Sequence, residues 1–231
     1  MNTLVRPLIA AALALALPTL AQDTPKPDRV AFLGDSMMKL LGHQGNRELG
    51  KLPQAEVVTN FASLGSGLAR LDAFDWMAKF EAVMAEQKPD IAIVAIGAND
   101  KQPMQTDGQI VRPGDPAWNA EYNRRVGQAM DILIRGGVRR IVWLELPDMK
   151  DTAHQADADE INAAFKAQAE SRPEVVYFQI RLFLSRKPGE FTKFRIDPRG
   201  RPIDLRDADG IHLTRAGADL VVEKLIEFLW P

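Results

Sequence analysis

Phe32-Leu33-Gly34-Asp35-Ser36-Met37 is the stretch on which the reading of this chain turns. The apolar run Val30 to Leu33 ends in Gly-Asp-Ser and passes at once into a segment of helical character. A strand that turns directly into a helix presents its serine hydroxyl at a sheet edge, above the helix N-terminus. An isolated serine there is better explained by helix N-capping. The weight of Ser36 therefore depends on what else reaches the same edge.

Working outward, apolar segments predict strands over Arg29 to Gly34, Glu56 to Phe61, Ile91 to Ile96, Arg140 to Leu146 and Val175 to Ile180. The third is uninterruptedly apolar, as expected of a central parallel strand buried on both faces. Between and after them, helical spacing predicts helices over Met37 to Leu49, Ala73 to Gln87, Trp118 to Arg135, Thr152 to Ser171 and Thr214 to Leu229. Five alternations of strand and helix predict an α/β fold with a five-stranded parallel sheet covered on both faces. Right-handed crossovers then put every strand's C-terminal end on one rim, where open α/β sheets bind ligands.

Three motifs share that rim by chain order alone. Gly34-Asp35-Ser36 follows the first strand, Gly65-Ser66-Gly67 the second, and Gly97-Ala98-Asn99-Asp100 the third. A fourth, Asp209-Gly210-Ile211-His212, precedes the last helix. Two connections, 101–117 and 185–208, are long for a compact domain and are candidate substrate walls or lids. The second is rich in arginine and lysine. It reads either as a basic lip for an anionic substrate or as a solvated loop that makes its own ion pairs.

Composition sets the outer limits. The 231 residues are 46% hydrophobic and 26% charged, with a formal net charge of −2, which gives no bulk affinity for nucleic acid or an anionic membrane. Met1 to Ala21 reads as a secretory signal peptide: Arg6 supplies the positive start, Leu8 to Leu17 the apolar stretch, and Ala21 a small residue before cleavage. Residues 22–28 follow as a polar leader and 29–231 as the catalytic domain. No later segment approaches membrane-spanning length. The chain has no cysteine, which excludes thiolate chemistry and cysteine-ligated metals. No cofactor or metal is called for.

Ser36 is the candidate nucleophile, and it needs a base within hydrogen-bond reach. Of the three histidines, His43 lies in the first predicted helix and His154 begins a polar one. His212 arrives with Asp209 three residues before it. One loop could thus supply both the base and the carboxylate that orients it, although Asp209 could equally cap a turn through backbone amides. Donors for a developing oxyanion would be the Ser36 N–H, a glycine N–H from Gly65 or Gly67, and the Asn99 amide. Asp35 and Asp100 read as loop-fixing residues.

Rival constellations are weaker. Gly65-Ser66-Gly67-Leu68-Ala69-Arg70 departs from a dinucleotide fingerprint at Arg70, and no P-loop or Gly-x-Ser-x-Gly elbow is present. A metal site from Asp35, Asp100 and His212 has no recognisable spacing. Glu145 and Asp148 could form a carboxylate pair for glycoside chemistry, but a strand-end acid and a turn acid explain them better.

Taken together, the four motifs resemble the four blocks of the SGNH (GDSL-type) hydrolase superfamily, in family order across nearly the whole chain after residue 21. The resemblance implies a three-layer, flavodoxin-like α/β/α fold. It also implies a Ser36–His212–Asp209 triad with an oxyanion hole from Ser36, a second-block glycine and Asn99. Counting five residues from Asn60 selects Gly65; alignment on the following Gly-Leu selects Gly67. Leu68-Ala69-Arg70, Phe74-Asp75-Trp76 and Leu146-Pro147-Asp148-Met149 resemble an exported bacterial branch of poorly defined activity. Lys101 and Met77 depart from it where glycine and proline are expected.

The expectation is an exported serine esterase or O-acyltransferase of the periplasm or extracellular space. It would act on acyl esters, acetyl above all, of small molecules or of envelope polysaccharide. The alternatives are a lipase, lysophospholipase or thioesterase for longer chains, and a non-catalytic envelope binding protein on the same fold.

Overall fold

The computed structural model describes residues 26–231. The segment read as a signal peptide and most of the expected polar leader lie outside the described residues. In chain order the elements are β1 (Asp28–Gly34), α1 (Ser36–Leu49), β2 (Ala55–Ala62), α2 (Trp76–Gln87), β3 (Ile91–Ala95), β4 (Met104–Thr106), β5 (Gln109–Val111), α3 (Pro116–Arg135), β6 (Arg140–Leu144), α4 (Thr152–Glu170), β7 (Val175–Phe178), α5 (Arg181–Leu184), β8 (Phe194–Ile196), β9 (Pro202–Asp204) and α6 (Arg215–Leu229).

Five strands form one parallel sheet in the order β2-β1-β3-β6-β7. The order reverses between β1 and β3, so the rim above their C-terminal ends is the switch point where such sheets open a crevice. β3 is buried along its whole length, and so is Val30 to Leu33 of β1. α1 packs against α6, while α2, α3 and α4 pack in series. Right-handed crossovers put these two sets on opposite faces of the sheet. The result is the three-layer α/β/α fold expected from the sequence.

Several boundaries move, each for a local reason. β1 begins at Asp28, so the leader is one residue shorter than the sequence suggested. α1 begins at Ser36 because the cap is Asp35, whose carboxylate accepts from the Met37 N–H at 2.8 Å. Ser36 is the first helical residue and not the cap, which frees its hydroxyl. α2 starts at Trp76 rather than Ala73, because Asp75 caps it through the Ala78 N–H. β6 stops at Leu144: the N–H and C=O of Leu146 bond the Asn162 side chain on α4 at 2.8 and 2.9 Å, leaving nothing for a sheet partner. β7 ends at Phe178, and the chain then coils into α5.

The two long connections are also more ordered than loops. Residues 101–117 contain the β4–β5 hairpin, and residues 185–208 contain β8–β9. Of the seven basic residues in the second connection, Arg186, Arg195 and Arg199 are exposed and make no ion pair among the described residues, and the other four are engaged. Lys187 pairs with Glu190, Lys193 with Asp204 and Arg201 with Asp197, while Arg206 is buried.

Candidate active site

The rim assembles from the ends of three strands and one loop. Gly34 closes β1 against β3 so tightly that an added Cβ would lie 1.9 Å from the Ala95 carbonyl oxygen, which only glycine permits. Asp35 is wholly buried behind Ser36. Its Oδ1 caps α1, and its Oδ2 accepts from the Gly97 and Ala98 N–H groups at 2.9 and 3.1 Å. One carboxylate thereby ties the turn after β1 to the turn after β3. Burial pushes the Asp35 carboxyl up to about 7; the three backbone donors pull it down and the charge of Asp100 pushes it up.

The Gly65-Ser66-Gly67 turn is fastened from beneath. Asp100, also buried, accepts from the Ala69 N–H at 3.0 Å and the Tyr122 hydroxyl at 2.7 Å. Arg125 donates to the carbonyls of Leu68 and Ala69 at 3.1 and 2.8 Å. The Asn99 amide donates to the Ser66 carbonyl at 3.0 Å, and the Trp76 indole donates to the Ser66 hydroxyl. Gly67 is buried against the Asp100 carboxylate, whereas Gly65 sits at the exposed tip with a left-handed φ of 71°. Asp35 and Asp100 thus fix loops, as their sequence positions suggested.

Ser36, His212 and Asp209 meet. His212 Nε2 lies 2.8 Å from Ser36 Oγ, and His212 Nδ1 lies 2.7 Å from Asp209 Oδ2. With Nδ1–H donating to the carboxylate, Nε2 is left as the acceptor for the serine hydroxyl. Asp209 Oδ1 also accepts from the Ile211 and His212 N–H groups at 2.8 and 3.0 Å. The turn-capping and imidazole-orienting readings of Asp209 therefore hold together, one for each oxygen. Burial pushes the Asp209 carboxyl up, but the His212 ring and the two backbone donors outweigh it and bring it down to about 2. Gly210 makes the turn: its φ is 72°, and a Cβ there would meet the Lys150 side chain at 2.3 Å.

Behind this loop stands a residue whose role the sequence did not reveal. Arg206, 1% exposed, donates to the carbonyls of Asp148, Gly210 and Ile211, the last at 2.7 Å, and its guanidinium lies over the Phe191 ring. Burial pushes it down to about 10, with the charges of Asp148 and Asp209 acting the other way. Its only sequence signal was membership of a basic run, which points to the surface.

The other candidates are accounted for elsewhere. His43 is exposed on α1, and His154 is exposed in the first turn of α4. Glu145 accepts from the Tyr177 hydroxyl and the Arg181 N–H, and Asp148 accepts from the Ser185 hydroxyl and the Gly189 N–H. Both acids pair with Arg181, at 3.7 and 3.1 Å, so they form a structural network. Lys101, in the position where glycine was expected, pairs with Glu160 and lies over the Trp118 ring. Among the described residues no cluster of three or more acids and histidines has metal-holding geometry.

Two cavities flank the centre. The larger, about 360 Å³, has Ser36 and His212 in its wall together with Met37, Leu40, Leu64 and Leu213. The smaller, about 180 Å³, borders Asn99 and Ile211 and is closed by Leu146, Met149, His154 and Asp157.

The family described as "Protein of unknown function (DUF459)" matches residues 29–227. No curated protein matches the sequence. Among solved structures, a catalytic mutant of the acetylxylan esterase Axe2 from Geobacillus stearothermophilus superposes with a TM-score of 0.57 at 16% identity, over 88% of this chain and 94% of that one. A member of the lipolytic protein G-D-S-L family from Veillonella parvula gives 0.57 at 16%, over 86% and 96%. The C-terminal catalytic domain of Streptococcus pneumoniae peptidoglycan O-acetyltransferase A gives 0.50 at 15%, over 89% and 94%. At these identities the likeness is one of fold. The fold is that of the SGNH hydrolases.

Proposed function

The chain belongs to the DUF459 family, and on the geometry of its rim we propose that it is a serine esterase or O-acyltransferase working through an acyl-serine intermediate. The observation that carries this reading is the unbroken chain Ser36 Oγ, His212 Nε2, His212 Nδ1 and Asp209 Oδ2, with links of 2.8 and 2.7 Å. Ser36 attacks the ester carbonyl while His212 takes its proton, and Asp209 stabilises the imidazolium. The oxyanion is received by the Ser36 N–H, the Gly65 N–H and the Asn99 amide. Gly65 is preferred to Gly67 because it stands at the open tip of the turn, while Gly67 is backed by the Asp100 carboxylate. His212 returns the proton to the leaving alcohol. It then activates water for hydrolysis or an acceptor hydroxyl for transfer, and the first half-reaction is common to both.

In this reading a short acyl group, acetyl first, enters the cavity of about 180 Å³ beside Asn99. The N-terminal sequence, read as a signal peptide, places the reaction outside the cytoplasm in this proposal. A second reading, an acetylated saccharide as substrate, is favoured by the activities in the names of the acetylxylan esterase and the peptidoglycan O-acetyltransferase.

Ser36→Ala should abolish turnover of p-nitrophenyl acetate and labelling by a fluorophosphonate, with the melting temperature retained. Undiminished turnover in that variant would exclude Ser36 as the nucleophile. Failure of the folded wild-type protein to label would favour a binding protein built on a hydrolase fold.

A further inference from the structure

The larger cavity has a composition that the triad alone does not explain. Leu64 is 63% exposed and Leu40 36%, yet both line the space that Ser36 and His212 open into. Met37 and Leu213 complete an apolar wall, and the remaining polar side chains there are Lys39 and Asp207. Leucines held open to water beside a nucleophile gain by burial only when an apolar group covers them.

Proton delivery decides which half of an ester enters this space. When the tetrahedral intermediate collapses, the bond from carbon to the alcohol oxygen breaks, and that oxygen takes the proton held on His212 Nε2. It must therefore lie within hydrogen-bond reach of the ring. His212 lines the larger cavity, whereas the smaller one meets the centre through Asn99 and Ile211. Resting on the acyl-serine reading above, we propose that the Leu40–Leu64 cleft is the subsite for the alcohol half of the ester, and that this alcohol carries an alkyl or aryl segment. Such an alcohol leaves protonated by His212, and its hydrocarbon portion covers the two leucines. A saccharide, with hydroxyl groups around its ring, would find only Lys39 and Asp207 to bond in this wall besides the triad itself.

The test is a series of acetate esters whose alcohols have similar acidity, so that leaving-group chemistry is constant: methyl, n-hexyl and 2-phenylethyl acetate, with an acetylated xylo-oligosaccharide as the saccharide arm. The n-hexyl and 2-phenylethyl esters should exceed methyl acetate in kcat/KM by about tenfold or more, the scale on which hydrophobic pockets discriminate. In the double variant Leu40→Asn/Leu64→Asn that preference ratio should fall by about tenfold. Both side chains lie outside the fully buried core, and Ser36 labelling together with a thermal melt establishes that the variant is folded.

A flat profile across the three simple esters, or a ratio untouched by the double variant, would overturn the subsite, as would a preference for the acetylated oligosaccharide that the double variant weakens, while fluorophosphonate labelling left the hydrolase reading standing. Absence of both labelling and turnover in the wild-type protein would remove the hydrolase reading and the subsite with it.

Discussion

Replacing Arg206 by methionine should loosen the loop that carries His212, and the size of the effect follows from the contacts. The guanidinium holds three carbonyls, those of Asp148, Gly210 and Ile211, and two of these belong to the residues immediately before His212. Hydrogen bonds from a charged group contribute about 1.5–3 kcal/mol each, so three amount to about 5–9 kcal/mol. Against this, burial lowers the arginine to about 10, which costs the charged form about 3 kcal/mol. Its Nε also has no partner among the described residues. The net loss is then about 2–6 kcal/mol, or a fall in Tm of roughly 4–24 °C for a domain of this size.

Stability alone would not distinguish a brace from an ordinary buried residue, so the rate matters as well. Well below its Tm, Arg206→Met should label with fluorophosphonate at least tenfold more slowly than the wild type, since small displacements of a base are costly to rate. Arg206→Lys should recover part of the stability. A single ammonium cannot reach all three carbonyls in the arginine fork geometry, so it should recover little of the rate. If Arg206→Met melts within about 1 °C of the wild type and labels at the same rate, the brace assigned here does not exist.

Other expectations concern the rim itself. Asn99→Ala should lower kcat by about 10²–10³ if the amide receives the oxyanion, and should destabilise the Ser66 turn by about 1 kcal/mol through loss of its bond to the Ser66 carbonyl. Gly67→Ala places a Cβ 1.9 Å from Asp100 Oδ1 and should cost about 1–3 kcal/mol in chemical denaturation. Gly65→Ala meets no atom within 4 Å, so its cost, about 1–2 kcal/mol, comes from the left-handed backbone alone. The Asp209 carboxyl is held near 2 in the folded protein against an ordinary 3.8. Its contribution to stability is therefore fully present above that ordinary value and is lost as pH falls through 3.8 toward 2. The stability difference between wild type and Asp209→Asn, followed by urea midpoints, should shrink over that acid range and stay constant above about pH 5.

The parts of this molecule that were legible in the sequence are those where local chemistry and long-range order say the same thing. Ile91 to Ala95 could be read as a central strand because burial on both faces leaves no polar position in it. The four rim motifs could be placed together because parallel strands end on one edge. What stayed hidden has physical causes. The sequence offered Ser36 as the cap of α1 because serine and aspartate are both good caps, and only the fold shows that Asp35 is the one that turns inward. The β4–β5 hairpin is too short for periodicity to register, although Asp107-Gly108 at its turn, both with positive φ, is a hairpin dipeptide that could have been noticed. The end of β6 at Leu144 depends on Asn162 reaching across from α4, a contact between residues sixteen apart that no local pattern encodes. Arg206 was hidden most completely, because an arginine among six other basic residues looks solvated.

These hidden contacts belong to one arrangement. Asp35 ties the turn carrying Ser36 to the turn carrying Asn99, and Asp100 ties that second turn to the Gly65–Ala69 stretch. Arg206 ties the His212 loop to the connection after β6. Each tie is a buried carboxyl or guanidinium group bonded to backbone amides or carbonyls, so it fixes main-chain positions, and two of the three oxyanion donors proposed here are main-chain N–H groups. Donors fixed in this way need no reorganisation when charge develops on the substrate oxygen, which is the condition under which they lower a barrier most. The residues that would touch the substrate's variable parts are differently placed. Leu40 lies on the outer face of α1 and Leu64 at the open end of a turn, while His154 is at the exposed start of α4. None of them takes part in a tie. Substitution at these positions should therefore change which ester is accepted while leaving the acyl-transfer geometry in place, whereas substitution at Asp35, Asp100 or Arg206 should impair turnover of every ester alike.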